Sequence, residues 1–193
     1  MAGEIKLNSV NFASESGGTI TVNNGTLGSS VVFPTGVVIG MAFLADVTDE
    51  NAGGSSLTAT LRTLNTAIFN INCPTTITSN EFSFDETGTY IINASAPAYI
   101  AERHILRLSD DAGSTFIGVG TTEFQTASST SQTRSFLCKD VTITASQITG
   151  GGSQRDFGFW HIVDNVQANT GLGVNNNDTT TEQYLQVQIF RLA

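Results

Sequence analysis

An alternation of apolar and polar residues with a period of two runs through residues 88–108, near the middle of the chain. This period is typical of a strand that buries one of its faces. Pro97 is expected to close the first of two such strands, because proline cannot donate a hydrogen bond to a neighbouring strand. We expect the two strands to form a hairpin, with these side chains on their buried faces: Tyr90, Ile92, Ala94 and Ala96, then His104, Leu106 and Leu108.

Shorter runs on both sides predict further strands separated by polar turns. They begin at Val37, at Glu81, at Thr115 and at Thr133. Threonine and β-branched residues are abundant in these runs, which favours strands over helices. We expect the following apolar residues to join the core: Leu57, Ala59, Leu61, Leu64, Ala67, Ile68, Phe69, Phe82, Phe84, Phe136 and Val141.

The run at residues 157–163 differs from the others because both of its faces are apolar. One face carries Phe157, Phe159, His161 and Val163, and the other carries Gly158, Trp160 and Ile162. An antiparallel sheet over one core normally has a polar outer face, and an exposed aromatic patch promotes aggregation. We therefore expect a second copy of the chain to cover this face. The residues predicted for the core or the interface between copies are Phe157, Phe159, Trp160, His161, Tyr184 and Phe190.

Residues 1–36 differ from the rest of the chain in being rich in glycine and asparagine. Two short extended runs, 19–22 and 31–33, carry too little apolar surface for a core of their own. We expect residues 1–36 to form an extended arm that docks on other proteins or connects to them, and residues 37–193 to form one domain. The last run, 183–192, is predicted to point Leu185, Val187 and Ile189 inward.

Composition and charge narrow the class of protein. Only 13% of the 193 residues are charged, and the 17 acidic and 8 basic residues give a formal net charge of -9. Such a charge repels phosphate backbones and anionic lipid, so we expect neither nucleic-acid binding nor membrane insertion. No run reaches the length of a membrane span, and we expect no secretion signal or anchor. Cys73 and Cys138 are expected to be free, buried thiols, and a disulfide between them is the alternative.

Several segments in a particular order resemble the jelly-roll domains of bacteriophage tail-fibre and other virion proteins. Those domains are similar to the globular heads of the complement and tumour-necrosis-factor superfamily. The segments are 62–66 (RTLNT), 88–99 (GTYIINASAPAY), 104–108 (HILRL), 133–136 (TRSF), 171–174 (GLGV) and 183–192 (QYLQVQIFRL). The resemblance covers residues 37–193. It implies an all-β, antiparallel two-sheet jelly roll of about ten strands that packs as a trimer, and it brings no catalytic residues.

A search for catalytic and metal-binding residues gives no strong candidate. There is no Gly-x-Ser-x-Gly motif for a serine hydrolase. His104 and His161 are the only histidines, and we expect them to be structural; a metal on a three-fold axis is the alternative. Six carboxylates in predicted turns are expected to be solvated, although a glycosidase pair or a calcium site at residues 110–111 is the alternative: Asp49, Glu50, Asp85, Glu86, Asp110 and Asp111. No metal or cofactor is expected.

Recognition of a partner is expected in loops, because loops on a rigid sandwich can vary without disturbing its core. Four predicted loops are candidates: 46–56, 122–132, 148–155 and 167–178. Their candidate receptor-binding residues are Asp49, Asn51, Gln125, Ser128, Gln154, Arg155, Asn175 and Asn176. The aromatic residues able to stack on a sugar ring are predicted in the core or at an interface instead: Trp160, Tyr90, Tyr99 and Tyr184.

These observations favour a non-enzymatic virion structural protein, made in the host cytoplasm and displayed on the exterior or the tail of a phage particle. The first hypothesis is a homotrimeric tail fibre or receptor-binding tip that attaches to a host surface glycan or protein. The second is a capsid decoration or head-fibre protein docked on other virion proteins by residues 1–36. The third is a carbohydrate-processing enzyme.

Overall fold

All regular secondary structure in the described part of the computed structural model is β-strand, and the all-β class predicted from the sequence is confirmed. The described residues are 4–7, 10–16, 19–22, 35–126, 130–175 and 181–193. No helix in these ranges has the length and apolar character needed to cross a membrane. The contacts within the chain define two units, Met1–Phe33 and Pro34–Ala193.

The first unit contains a three-stranded antiparallel sheet. Its strands are β1 (Glu4–Leu7), β2 (Val10–Ser16) and β3 (Thr19–Val22), with β2 in the middle. The extended run predicted at 19–22 is thus a strand, whereas the run predicted at 31–33 lies outside the described residues. The docking or connecting role of residues 1–36 stays a prediction.

The second unit is a jelly roll in which two antiparallel sheets face each other. The large sheet contains, in spatial order, β12 (Gln132–Ile143), β9 (Gly88–Tyr99), β14 (Glu182–Leu192), β4 (Val38–Thr48) and β6 (Thr66–Ile71). The small sheet contains β11 (Gly118–Phe124), β10 (Arg103–Ser109), β13 (Gly158–Val163) and β5 (Thr60–Leu61). A short hairpin of β7 (Thr75–Thr78) and β8 (Glu81–Phe84) extends the small sheet through a bridge between Phe82 and Phe157.

The core between the sheets is formed by the alternating side chains that the sequence predicted. The expected inward residues of β9, β10, β13 and β14 are all buried. At one end of the core Phe82 stacks on Phe157 with ring centroids 5.4 Å apart, and Phe84 stacks on Tyr90 at 3.9 Å. Burying each such aromatic side chain contributes about 1.5–3 kcal/mol, so this cluster is a major source of stability.

The predicted hairpin of residues 88–108 is wrong, because β9 and β10 belong to different sheets. The connection turns sharply through Ile100 and Glu102, which have φ angles of 50° and 55°. Pro97 does not end β9, which continues to Tyr99. The pairing of β9 with β14 stops at Ser95, and the carbonyl of Pro97 accepts a hydrogen bond from Arg62 instead. Proline is tolerated there because that side of β9 has no strand partner.

Several residues predicted in the core are on the surface. Leu64 and Val141 are buried, but Leu57 is 63% exposed, Phe136 is 56% exposed, and Ala67, Ile68 and Phe69 are also exposed. Phe136 and Val141 lie an odd number of positions apart on β12, so they must face opposite sides of the sheet. Both cysteines are free as predicted; Cys73 is buried, but Cys138 is exposed on β12.

Candidate functional site

Three of the four predicted recognition loops lie at one end of the jelly roll. The register pairs Thr48 with Glu182 and Tyr99 with Gln132, so the described residues of loops 46–56, 122–132 and 167–178 lie at the same end of the large sheet. We call this the loop end. The opposite end carries Val37, whose carbonyl accepts a 2.9 Å hydrogen bond from the Ala193 amide. We call it the entry end, and the fourth loop, 148–155, lies there.

Two segments of the loop end, 49–56 and 165–175, are joined by backbone hydrogen bonds. The amides of Ala52 and Ser55 donate to the carbonyls of Gly173 and Gln167, both at 3.0 Å, and the Leu172 amide donates to the Gly53 carbonyl at 3.1 Å. We call these segments the paired loops. Because the two backbones are fixed to each other, the side chains between them are held in a defined arrangement.

Glycine makes the close approach of the paired loops possible. A Cβ atom on Gly54 would lie 2.2 Å from the carbonyl oxygen of Ala168, and one on Gly171 would lie 2.0 Å from the Ser55 Oγ. Any larger residue at Gly54 would therefore push the two backbones apart.

An open cleft of about 410 Å³ lies between the paired loops. Its lining is Glu50, Asn51, Gly53, Gly54, Asn169 and Asn175, and we call it the amide cleft. The backbone amide of Asn175 donates to Asn51 Oδ1 at 2.9 Å, so the structure brings together two of the predicted receptor-binding residues. Asp49, a third, is exposed on the same loop.

Arg62 supports the paired loops from inside the jelly roll. It is fully buried, and its Nη1 donates to the carbonyls of Leu172 at 2.7 Å and Pro97 at 3.2 Å. Burial lowers the pKa of Arg62 to about 10, whereas nearby buried Asp46 acts in the opposite direction. The Nε and Nη2 atoms have no hydrogen-bond partner in the described protein. Sequence analysis missed this role, because a single arginine in a short polar segment carries no signal of burial.

The two histidines contact each other in the core rather than facing a ligand. His104 Nδ1 lies 2.9 Å from His161 Nε2, and His104 Nε2 lies 2.8 Å from Thr133 Oγ1. Burial lowers the pKa of His104 to about 4 and that of His161 well below its usual value. No group of three or more His, Cys, Asp or Glu side chains in the described ranges is arranged to hold a metal ion.

The remaining predicted loop residues stabilise their own loops or cannot be placed. Gln125 is buried, and its Nε2 donates to the Ala98 carbonyl at 3.0 Å. At the entry end Gln154 Oε1 accepts from the Gly150 amide, and Arg155 pairs with Asp110 and lies over the ring of Phe157. Ser128 and Asn176 lie outside the described residues. The structure thus brings only some of the predicted receptor-binding residues together at the amide cleft.

The turn carboxylates mostly bind protein groups. Asp85 accepts from Thr76 and Thr149, and Glu86 pairs with Arg191. Asp110 pairs with Arg155, and Asp111 accepts hydrogen bonds from Ser109 and Thr115, which lower its pKa to about 2. These interactions occupy the side chains of Asp85, Glu86, Asp110 and Asp111, including the two that a calcium site at residues 110–111 would need.

The residues predicted for the core or a trimer interface fall into two groups. Phe157, Phe159, His161 and Tyr184 are buried within one chain. Trp160 is half-buried against the turn at Gly113, where an added Cβ would lie 2.7 Å from its ring. The chain itself therefore covers much of this face, and β13 alone gives no argument for a second copy. Phe190 is half-buried on the outer side of the large sheet.

The outer side of the large sheet carries an uninterrupted row of apolar residues. The register places Ile71 beside Met41, Met41 beside Phe190, and Phe190 beside Ile91. Ile71 is 60% exposed, and Phe69 next to it in β6 is 39% exposed. We call this four-strand row, together with Phe43 and Phe69, the apolar face. Its large side chains are on the surface of the single chain.

Comparison with known proteins identifies the fold but no family. No protein-family model and no curated protein matches the chain. The PRD1 vertex protein P5 matches with a TM-score of 0.53 and 14% identity, over 82% of this chain and 100% of that chain. Murine APRIL, at pH 8.5 and pH 5.0, gives TM-scores of 0.45 and 0.46 with 7% identity, over 79% of this chain and 98% of that chain. The likeness to P5 confirms, for the fold, the resemblance to virion jelly rolls predicted from the sequence.

Proposed function

We propose that this protein is a non-enzymatic structural protein of a virion, displayed on the outside of the particle, whose loop end attaches to the host. The observation that carries the proposal is the fold shared with a phage vertex protein, which extends over the whole length of that chain. The net charge of -9 agrees with a surface role and disfavours contact with packaged nucleic acid.

The polarity of the jelly roll supports attachment through the loops. The chain enters the domain at Val37, and the three clustered loops lie at the opposite end of strands that are up to 12 residues long. At about 3.3 Å per residue, strands of this length separate the loops from the entry point by up to roughly 40 Å. A domain held at its entry end would therefore present these loops outward.

We further propose that the protein is a homotrimer that buries the apolar face. Monomeric soluble proteins rarely expose a continuous patch of this kind. The trimeric state comes from the resemblance noted in the sequence, and the row from Ile71, which is exposed, through half-buried Met41 and Phe190 to half-buried Ile91 supports an interface between copies on this sheet. Among the predicted interface residues, Phe190 lies in this row.

Two positions on the particle are candidates. A tail-fibre or receptor-binding tip is the first, and a capsid decoration or head-fibre protein docked by residues 1–36 is the second. The likeness to a vertex protein favours the second position. In the first unit, β1 and β3 are the edge strands of the small sheet, and an edge strand can pair with a strand of another protein.

Labelling of intact particles with a gold-tagged antibody to this protein, viewed by electron microscopy, tests the proposal. Gold at the vertices or over the head supports the decoration or head-fibre role, and gold at the tail supports the tail-fibre role. Particles that carry the protein nowhere contradict the virion assignment. Turnover of a host glycan by the purified protein would instead support the carbohydrate-processing alternative.

A further inference from the structure

We propose that the amide cleft at the loop end binds a neutral glycan. The inference deepens the attachment role and rests on it for its biological meaning, but the chemistry of the cleft carries it. A ligand for this cleft must offer both hydrogen-bond donors and acceptors on a compact polar body. Sugar hydroxyls do both.

The side chains that line the cleft have hydrogen-bonding capacity to spare. Among the described residues, the Glu50 carboxylate and the side-chain amides of Asn169 and Asn175 make no hydrogen bond. Asn51 uses its Oδ1 for the Asn175 backbone amide, and its Nδ2 has no partner in the described protein. A carboxylate and primary amides can bind neighbouring hydroxyls in pairs, since each group has two polar atoms.

The cleft is built before any ligand arrives. Its walls are fixed by the three backbone bonds of the paired loops, by the close approach at Gly54, and by the bond from buried Arg62 to the Leu172 carbonyl. A binding site whose loops are already ordered loses less conformational entropy when it binds. Because less entropy is lost, a ligand that forms only a few hydrogen bonds with the cleft can still bind.

The lining excludes other classes of ligand. Its described lining carries no cationic side chain, and Glu50 adds a negative charge, so sialylated, sulfated or phosphorylated ligands are repelled. No large apolar side chain is among these described residues, so an apolar ligand gains little. A calcium ion needs six to eight oxygen ligands, commonly several carboxylates, and the described lining supplies one carboxylate.

A neighbouring cleft provides room for further sugar units. This second cleft, of about 560 Å³, shares Asn175 with the amide cleft and is lined mainly by polar residues, including Gln132, Glu182 and Gln183. Arg134, the one cation among the described residues of this second cleft, already donates to Ser95 and to the Tyr184 carbonyl at 2.6 Å. The two clefts together suit a short neutral oligosaccharide. Because the described lining of the amide cleft has no aromatic ring for stacking, each site is weak, and several copies per assembly are needed for avidity.

An array of neutral oligosaccharides, printed beside their sialylated and sulfated counterparts and probed with the purified full chain, tests the inference. Asn169→Ala combined with Glu50→Ala is the informative variant, because neither side chain bonds to the described protein. Ser153→Ala, exposed at the entry end, is the control. We expect binding to neutral glycans, at least about tenfold weaker in the double variant, from the loss of two hydrogen bonds, and unchanged in the control.

Each other outcome is decisive. Absence of binding to every neutral glycan, binding of the charged counterparts only, or equal binding by the double variant would overturn the inference. The attachment role is judged separately by gold labelling of particles. If gold labels the particles but the protein binds no glycan, the virion proposal stands and the glycan inference is rejected. If the protein binds neutral glycans but is absent from particles, the glycan inference stands and the virion proposal is rejected.

Discussion

His104 and His161 form a direct imidazole-to-imidazole contact, 2.9 Å from Nδ1 to Nε2, inside the jelly roll. Strands β10 and β13 are neighbours, and both side chains point inward toward the large sheet, where Thr133 Oγ1 of β12 lies 2.8 Å from the other ring nitrogen of His104, Nε2. One ring must donate and the other accept, so the contact requires at least one neutral imidazole. Proton uptake by both rings would break it.

Stability is expected to fall as the pH drops from about 6.5 toward 4. Burial is the main cause that keeps the pKa values of both histidines low in the fold, and the charge of Arg62 lowers both further, although Glu123 acts the other way on His104. In the unfolded chain both titrate near 6.5. The unfolded state therefore binds more protons below that pH, and the free energy of unfolding decreases. Urea unfolding at pH 7.5, 6.5, 5.5 and 4.5 measures this.

A variant carrying His104→Gln and His161→Gln is the control for the pH prediction. Its stability should not fall over the same range if the two imidazoles are responsible, because burial raises the pKa values of Asp46 and Glu81, and carboxyl groups that bind protons more readily in the fold gain stability as the pH drops. The low pKa of Asp111 affects stability only below about pH 4, the ordinary range for that carboxyl, so it does not contribute in this window. An unfolding free energy of the unmodified chain that does not change from pH 7.5 to 4.5 would contradict the prediction.

Gly54→Ala is expected to impair ligand binding more than stability. The added methyl group would lie 2.2 Å from the backbone oxygen of Ala168, so the paired loops must separate. Gly152→Ala is the matched control, since nothing lies within 4 Å of its Cβ and its loop is at the entry end. Hydrogen exchange at residues 52–55 and 172–173 should quicken in the first variant only. Unchanged exchange there would refute the close packing of the loops.

Ile71→Asp is expected to convert a trimer into a monomer. Ile71 lies in the apolar face and is 60% exposed, so the change leaves the fold of one chain intact while placing a charge in the interface. Val119→Asp, also 60% exposed but on edge strand β11 of the small sheet, is the matched control. Native mass spectrometry distinguishes three chains of 20.4 kDa, about 61 kDa, from one. A monomeric unmodified protein, or a trimeric Ile71→Asp variant, would reject this interface.

Arg62→Met is expected to destabilise the protein by about 3 kcal/mol. The change keeps an unbranched side chain of similar length but leaves Asp46 buried without a nearby cation and releases the Leu172 carbonyl. Adding Asp46→Asn to this variant should restore part of the loss. Chemical denaturation gives the free energies. If the single variant is as stable as the unmodified chain, Arg62 does not hold the paired loops in place.

The faces of most strands were predictable because alternation is a local property. β9, β10, β13 and β14 each bury one set of alternate residues as expected. The same rule, applied through Leu137, Val141 and Ile143, places Phe136 on the outer face, so the information for that residue was present in the sequence. β6 is different, because its apolar residues do not alternate and it has a strand neighbour on one side only.

Pairing between strands was not predictable in the same way. β9 and β10 are separated by only three residues, which suggests a hairpin, but their partners come from distant parts of the chain. The candidate site shows the same limit. Asn51 and Asn175 were recognised as loop residues, yet their contact across 124 positions depends on the fold, and so does the support from Arg62.

The hydrogen bond between Ala193 and Val37 makes the jelly roll almost a closed ring of chain. In a variant made of residues 37–193 alone, a short peptide joining these two positions would give a circular chain that can be opened at another loop, and permuted proteins of this kind fold when the joined positions are adjacent. The turn at residues 150–152, where a Cβ added to Gly152 would meet no atom within 4 Å, is a suitable place for the new ends. The order of the strands along the chain could therefore be changed while their arrangement in the two sheets stays the same.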